Sequence, residues 1–166
     1  AFNFSLDESL AIKKHYHQLL EKNQNSNVNT NSAFSYILGA LYFFDEQYED
    51  AIRYYSEALA KFNNTTLVNK KDIFFYLKVN LKLGLVFEKR KAYEAAFSYY
   101  QKSIEIIKKR SFLFKDEIEF SKLSYQAMLA KLFLIEKTNP VGVTIQELEK
   151  AEDDFSALEL VPVKAF

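Results

Sequence analysis

Few residues of this chain have the types and spacing that could support chemistry. Its only histidines are His15 and His17, and it contains no cysteine. Side chains two residues apart on a helix point about 200° away from each other, so the two imidazoles cannot bind one metal ion in the way that an i, i+4 pair can. The lack of cysteine excludes disulfides, a thiol nucleophile and a thiolate metal site. The sequence therefore predicts neither a metal ion nor a bound cofactor.

The clustered charges are typical of solvated helix faces. The basic runs at residues 89–91 and 108–110 fall at or near predicted helix C-termini, where the helix dipole favours cations. A group of carboxylates near the C-terminal end is spread around a predicted helix and does not converge as the ligands of a cation must. That group consists of Glu147, Glu149, Glu152, Asp153 and Asp154.

The overall balance of charge excludes several classes of partner. The chain has 166 residues with 22 basic and 22 acidic side chains, so its net charge is zero. This balance argues against binding to nucleic acid or to an anionic membrane. No stretch reaches the roughly 20 apolar residues that span a bilayer, and neither a phosphate-binding glycine loop nor a glycine-flanked nucleophile occurs. We expect a cytoplasmic protein that is not an enzyme and that binds neither nucleic acid nor membranes.

Helical periodicity runs along the whole chain. Three glycines and two prolines are too few for the tight turns of an all-β fold. Ser5 and Glu8 form a capping-box pattern that opens a first helix over residues 5–23. The Asn-rich stretch 24–32 has too few apolar residues to offset its ordering entropy, so a mobile loop is predicted there. Six further helices are predicted at about residues 33–45, 47–62, 69–90, 92–110, 115–137 and 144–160.

Two of the predicted helix pairs share one pattern at an offset of 45 residues. Residues 38–59 and 83–104 are identical at seven of 22 aligned positions. A glycine inside a helix costs about 1 kcal/mol relative to alanine, so its recurrence indicates close helix packing. We expect Gly39 and Gly84 to admit a second helix, with Ala51 and Ala96 as the small partner residues. Paired tyrosines would fill the space between one hairpin and the next; these are Tyr54, Tyr55, Tyr99 and Tyr100.

This pattern resembles the tetratricopeptide repeat (TPR) family. The resemblance lies in Leu-Gly, an aromatic residue three positions after the glycine, and then Tyr, Ala, aromatic and Ala in the second helix. It implies an all-α fold, a right-handed TPR-like solenoid of antiparallel helix hairpins with about seven helices. The spacing of 45 residues exceeds the 34 that are typical of the family. The extra residues fall between Lys61 and Leu77.

The resemblance also implies an organisation for residues 1–166 as a single helical-repeat domain. Its parts are a half repeat at 5–23, the loop at 24–32, repeat 1 at 33–62, repeat 2 at 69–110 and a divergent repeat 3 at 115–160. In repeat 3, Ala130 and Phe133 would take the places of the glycine and the aromatic residue. The half repeat and the absence of an initial methionine lead us to expect a segment of a longer protein.

TPR-like proteins bind an extended peptide or a helix in a concave groove lined by the first helix of each repeat. The resemblance therefore implies partner contact at Tyr36, Phe43, Lys78, Leu81, Glu88 and Lys131. Further positions on the same faces are Ala40, Leu85, Ser124, Ala127 and Leu134. Some members of the family hold a terminal carboxylate with a Lys and Asn clamp, but Tyr36 and Ala40 stand at two of those positions. We expect no chaperone-tail partner.

The sequence thus predicts a protein–protein interaction module, an adaptor or scaffold. Two alternatives stay open. The chain could be a ligand- or peptide-responsive regulatory domain that controls an attached effector domain. It could also be a structural segment of a large complex that associates with itself as a homo-oligomer.

Overall fold

The computed structural model describes residues 5–23, 28–62 and 69–138, together with Glu149, Lys150, Asp153 and Ser156. No strand occurs in these ranges, and the predicted all-α class is confirmed. The predicted helix at 144–160 lies outside the described residues except for those last four, which are helical and exposed. The six other helices are α1 (Leu6–Asn23), α2 (Val28–Phe44), α3 (Tyr48–Leu59), α4 (Lys70–Lys89), α5 (Tyr93–Arg110) and α6 (Ile118–Thr138).

The chain divides into two compact units, Ala1–Leu67 and Val68–Phe166. The first unit contains α1, α2 and α3, and the second contains α4, α5 and α6. The division falls between the predicted repeat 1 and repeat 2. Short 3-10 turns follow α3 at Ala60–Phe62 and α5 at Ser111–Phe114. Among the described helices, none combines the length with the apolar character that a membrane crossing requires.

Side-chain caps fix two of the helix starts. The Ser5 backbone N–H donates to Glu8 Oε2 at 2.7 Å, and the Glu8 N–H donates to Ser5 Oγ at 3.3 Å. This reciprocal pair is the predicted capping box, which is confirmed. At α4, Asn69 Oδ1 accepts from the Asp72 N–H at 2.8 Å. Each cap satisfies an N–H group that has no partner within its own helix.

The start of α2 corrects the predicted loop at 24–32. The helix begins at Val28, so residues 28–32 are helical, and Ser32 is buried. Asn31 Nδ2 donates to the Asn23 carbonyl at 3.0 Å, and Lys61 Nζ donates to Asn29 Oδ1 at 2.9 Å. These contacts with α1 and with the turn after α3 hold a polar sequence in a helix, whereas composition alone favours disorder.

The same tight turn joins α2 to α3 and α4 to α5. Glu46 and Lys91, 45 residues apart, have positive φ angles of 59° and 60°. The Gln47 N–H donates to the Tyr42 carbonyl and the Ala92 N–H donates to the Phe87 carbonyl, both at 2.9 Å. A left-handed residue just after a helix lets the next N–H groups bond back to its last turn. Each turn therefore sends the chain back along the preceding helix.

A buried tyrosine fills the space beside each helical glycine. A Cβ atom built on Gly39 would lie 2.6 Å from Tyr55 Cδ1, and one on Gly84 would lie 2.6 Å from Tyr100 Cδ1. Both tyrosines are completely buried. Close packing at the glycines is thus confirmed, but the residue that packs there is a tyrosine ring. Ala51 and Ala96, the predicted small partner residues, are also completely buried in these hairpins.

Both hairpins also contain a stacked aromatic pair. The rings of Tyr42 and Tyr54 lie 5.3 Å apart with an interplanar angle of 6°. At the equivalent positions, Phe87 and Tyr99 lie 5.4 Å apart at 11°. These rings pack within their own hairpin, and the Tyr54 ring also lies 5.4 Å from the His17 ring of α1, the predicted half repeat. The 45-residue repeat is a repeat of packing as well as of sequence.

Contacts along the hairpin place the remaining helix of each unit, which is α1 in the first unit and α6 in the second. In the first unit, Tyr16 contacts Phe34 and Ser9 contacts Asp45, so α1 runs antiparallel to α2. In the second unit, Lys70 pairs with Glu117 at 2.5 Å and Lys137 with Glu88 at 3.7 Å. These pairs set α6 parallel to α4.

Gly84→Ala tests the glycine–tyrosine contact. Alanine favours a helix by about 1 kcal/mol over glycine, but here the methyl group meets a buried ring that cannot move freely. We expect a net loss of about 1–3 kcal/mol, typical of overpacking. Urea unfolding followed by circular dichroism measures it, and a gain of about 1 kcal/mol would show that the contact is loose.

The two buried tyrosines also make a matched pair. Tyr100 Oη donates to Glu88 Oε2 at 2.9 Å, whereas the Tyr55 hydroxyl has no hydrogen-bond partner among the described residues. The position equivalent to Glu88 in the first unit holds Phe43. We expect Tyr100→Phe to lower the free energy of unfolding by about 1.5–3 kcal/mol, because it removes the hydrogen bond to Glu88. Tyr55→Phe should leave that free energy unchanged or raise it, because it removes a buried hydroxyl without a partner. Equal losses in denaturant unfolding would contradict this difference.

Candidate functional site

A groove of about 640 Å³ lies between α4 and α6 in the second unit. Its lining on α4 extends from Phe74 to Glu88, a distance of about 21 Å at 1.5 Å per residue. The lining residues on α4 are Phe74, Lys78, Leu81, Lys82, Leu85 and Glu88, and those on α6 are Glu119, Lys122, Leu123, Gln126, Leu129, Ala130 and Phe133.

Apolar side chains dominate the groove and remain accessible. Leu81 and Leu123 are buried at its floor. Leu129 is 44% exposed and Phe133 is 61% exposed. Large apolar side chains that line a concave surface and face solvent mark sites where a partner can bury them.

The groove carboxylates are already engaged within the chain. Glu119 pairs with Lys122 at 2.9 Å. Glu88 accepts the Tyr100 hydroxyl at 2.9 Å and lies 3.7 Å from Lys137 of α6. Tyr100 thus orients the Glu88 side chain at one end of the groove. Burial is the main reason that the pKa of Tyr100 is raised, and the hydrogen bond to Glu88 adds to it.

Lys82 differs from these paired groups. It is half-buried, and no described carboxylate forms an ion pair with it. Burial, and after it the positive charge of Lys78 one turn away, lowers the pKa of the Lys82 ammonium. The groove therefore contains a cation whose lost hydration is not offset by a described acidic residue.

Three of the candidate residues predicted from sequence lie together in this groove. Lys78, Leu81 and Glu88 all line it, and so does the neighbouring Leu85. All four lie on α4, where the glycine and turn of repeat 2 fix the register. Phe74 and Phe133 were not predicted to line a groove. The spacing of Lys78 and Lys82 places both on one helix face, where an acidic partner or solvent could meet them, and the partial burial of Lys82 is the feature that the sequence does not show.

The predicted register of α6 was wrong. Ser124, Ala127 and Leu134 are buried in the core, and Lys131 lies over the Phe97 ring of α5 at 5.3 Å. The groove is lined instead by residues such as Leu123, Gln126, Ala130 and Phe133. Ala130 and Phe133 therefore do not occupy the packed positions of Gly84 and Phe87. Apolar residues occur on nearly every face of α6, so periodicity does not identify its buried side.

Tyr36 and Phe43 in the first unit are half-buried and pack against α3. The Tyr36 ring lies 5.6 Å from the Tyr55 ring, and the Phe43 ring lies 6.0 Å from that of Tyr48. Burial raises the pKa of Tyr36 to about 12. Both residues contribute to the packing of their own hairpin, and partner contact at them stays a prediction.

The first unit contains a polar cluster that the sequence did not predict. Lys13 pairs with Asp45, whose Oδ2 also accepts from Ser9 Oγ at 2.6 Å. The Lys13 and Asp45 side chains are only 6% and 11% exposed. Lys13 Nζ also donates to Gln47 Oε1 at 2.9 Å. This cluster attaches α1 to the turn between α2 and α3.

His17 extends the cluster along α1. Its Nε2 lies 3.0 Å from the Tyr42 hydroxyl and its Nδ1 lies 3.2 Å from the Tyr54 hydroxyl. In a neutral imidazole one nitrogen donates a hydrogen bond and the other accepts one. The two tyrosine hydroxyls therefore occupy both hydrogen-bonding positions of the His17 ring. Across the described ranges, no three His, Asp or Glu side chains converge as metal ligands. The arrangement holds α1 against the α2–α3 hairpin.

The Asp45 cluster makes the free energy of unfolding depend on pH. Desolvation alone would raise the pKa of Asp45, but hydrogen bonds from Lys13 and Ser9 and the charge of Lys13 outweigh it, so the pKa lies below its ordinary value of 3.8. A carboxyl with a lowered pKa stabilises the fold above its unfolded-state pKa and loses that effect as pH falls through the folded one. We expect wild-type stability to fall below about pH 4.

Asp45→Asn should cost about 3 kcal/mol at pH 7, because it leaves Lys13 buried without its counter-charge, and much less at pH 2. Asp50→Asn is the matched control. Asp50 pairs with Arg53 at 2.8 Å on the surface of the same unit, with both side chains about half exposed. Its loss should change the free energy of unfolding by less than about 1 kcal/mol. Equal effects of the two variants in urea titrations at both pH values would contradict the account.

Comparisons with known proteins do not assign this chain to a family. No protein-family model, curated protein or solved structure matches it.

Proposed function

We propose that this chain is a protein–protein interaction module whose α4–α6 groove binds a segment of a partner protein. The observation that carries this proposal is the groove itself, which is open, about 21 Å long and lined by Leu and Phe side chains. Leu129 and Phe133 would lose unfavourable contact with water when a partner covers them. Because both side chains are largely exposed, the packing of α6 against its neighbours depends little on them.

The length of the groove sets the size of the segment. An extended chain covers about 3.3 Å per residue and a helix about 1.5 Å. The groove therefore accommodates about six extended residues or about 14 helical ones. Either form could place two or three apolar side chains against Leu85, Ala130 and Phe133. Such small interfaces depend on a few anchoring side chains.

A TPR-like solenoid is the fold that we propose for the chain as a whole. The support is the repetition of the glycine–tyrosine contact, the positive-φ turn and the aromatic stack at a 45-residue interval. In such a fold the first helix of each hairpin lines the concave surface, and α4 is the first helix of repeat 2. The groove residues of α4 would then lie on the concave surface, where partner-binding residues are expected. Under this proposal the protein has no catalytic activity, and its partner is a protein or peptide.

The proposal is tested with an unbiased peptide library displayed on phage and selected against the whole chain. Phe133→Ser is the test variant and Phe112→Ser is its control. The two side chains are 61% and 60% exposed, and only Phe133 lines the groove. We expect selected peptides to bind Phe133→Ser at least about tenfold more weakly than wild type, as for an anchoring residue. Binding to Phe112→Ser should be unchanged.

Both variants should unfold within about 0.5 kcal/mol of wild type, because the altered side chains are exposed. Fluorescence anisotropy of labelled peptides gives the affinities. Selected peptides that bind both variants equally well would contradict the groove assignment. Self-association of the wild type in sedimentation experiments, lost in Phe133→Ser, would show that the groove binds a second copy of the chain.

A further inference from the structure

The charged side chains of the α4–α6 groove differ in whether a neighbouring group of the chain pairs with them. On the α6 side, Lys122 and Glu119 neutralise each other at 2.9 Å. At one end of the groove, Glu88 is engaged by the Tyr100 hydroxyl and by Lys137. Lys82 is half-buried and has no pairing carboxylate in the described part of the chain. A partner entering the groove therefore meets a partly dehydrated ammonium group.

The position of Lys82 on α4 relates this charge to the apolar lining. Lys78 and Lys82 are four residues apart and lie on one row of the helix surface. Leu81 and Leu85 form the adjacent row with the same spacing. All four side chains line the groove. A segment that covers the leucine row must pass beside the lysine row.

We propose that the partner segment is acidic as well as apolar, and that one of its Asp or Glu side chains pairs with Lys82. This inference rests on the proposed function of the groove. Burying Lys82 further beneath an apolar segment would cost free energy, whereas a carboxylate offsets its desolvation. The second positive charge, at Lys78, adds attraction along the same row. Segments that place lysine or arginine there are disfavoured by like-charge repulsion.

Peptides selected from the library report this preference directly. The peptides are fused through their C-termini to the coat protein, so any carboxylate that they offer is a side chain. We expect Asp and Glu to be enriched among selected sequences relative to the unselected library. Replacing the enriched acidic residue by Gln or Asn should weaken binding by about tenfold, as expected for a charge-assisted hydrogen bond.

Lys82→Met is the test variant, because methionine preserves much of the aliphatic stem without the charge. Lys102→Met is its control, since Lys102 is exposed on α5 and outside the groove lining. Both variants change the net charge by the same amount. We expect Lys82→Met to bind the acidic peptides about tenfold more weakly and to lose the difference between the Glu and Gln peptides. Lys102→Met should keep that difference.

The outcomes separate this inference from the proposed function. Phe133-dependent peptides that show no acidic enrichment would leave the groove as the binding site and overturn its acidic specificity. Acidic peptides that discriminate Glu from Gln equally on wild type and on Lys82→Met would show that another cation is responsible. A failure to select any Phe133-dependent peptide would overturn both.

Discussion

The contact between a buried tyrosine ring and a helical glycine sets the spacing of the helices in both hairpins. Because Gly39 and Gly84 lack a Cβ, the rings of Tyr55 and Tyr100 lie directly against the backbone of the first helix. The positive-φ turns at Glu46 and Lys91 then keep the second helix in register with the first. In the second unit this contact reaches the groove, since the Tyr100 hydroxyl orients Glu88, which lies near Lys137 of α6. The packing that forms the hairpin thus also places one end of the candidate site.

Differences between the two units explain why the candidate site is in the second. Phe43 stands where the second unit has Glu88, and the Tyr55 hydroxyl has no partner among the described residues. The first unit attaches α1 to its hairpin through polar contacts, the Lys13–Asp45 pair and the two tyrosines around His17. The second unit instead leaves Leu129 and Phe133 exposed between α4 and α6. Both units therefore contain the same kind of hairpin. In the first unit its neighbouring helix α1 is attached through polar contacts, and in the second an apolar groove lies between α4 and α6.

Most helix positions were predictable because they depend on local signals. The capping box at Ser5, the Leu-Gly pattern and the 45-residue offset located α1 to α5 within a few residues, except for the start of α2. That start depends on contacts of Asn29 and Asn31 with distant residues, which composition does not encode. On α4 the groove residues Lys78, Leu81 and Glu88 were predicted because a glycine fixes the register there. On α6 no glycine does so, and Lys131, predicted for the groove, lies over the Phe97 ring of α5. The special position of Lys82 depends on burial, which only the fold determines.

The central claim is that the groove between α4 and α6 is the surface that binds a partner. Methyl NMR of the whole chain, titrated with one selected peptide, tests it most directly. The account predicts that the largest shifts occur at Leu81, Leu85, Leu123, Leu129 and Ala130, with little change at Leu10 of α1. Shifts concentrated on the first unit, with the α4 and α6 methyl groups unchanged, would contradict it.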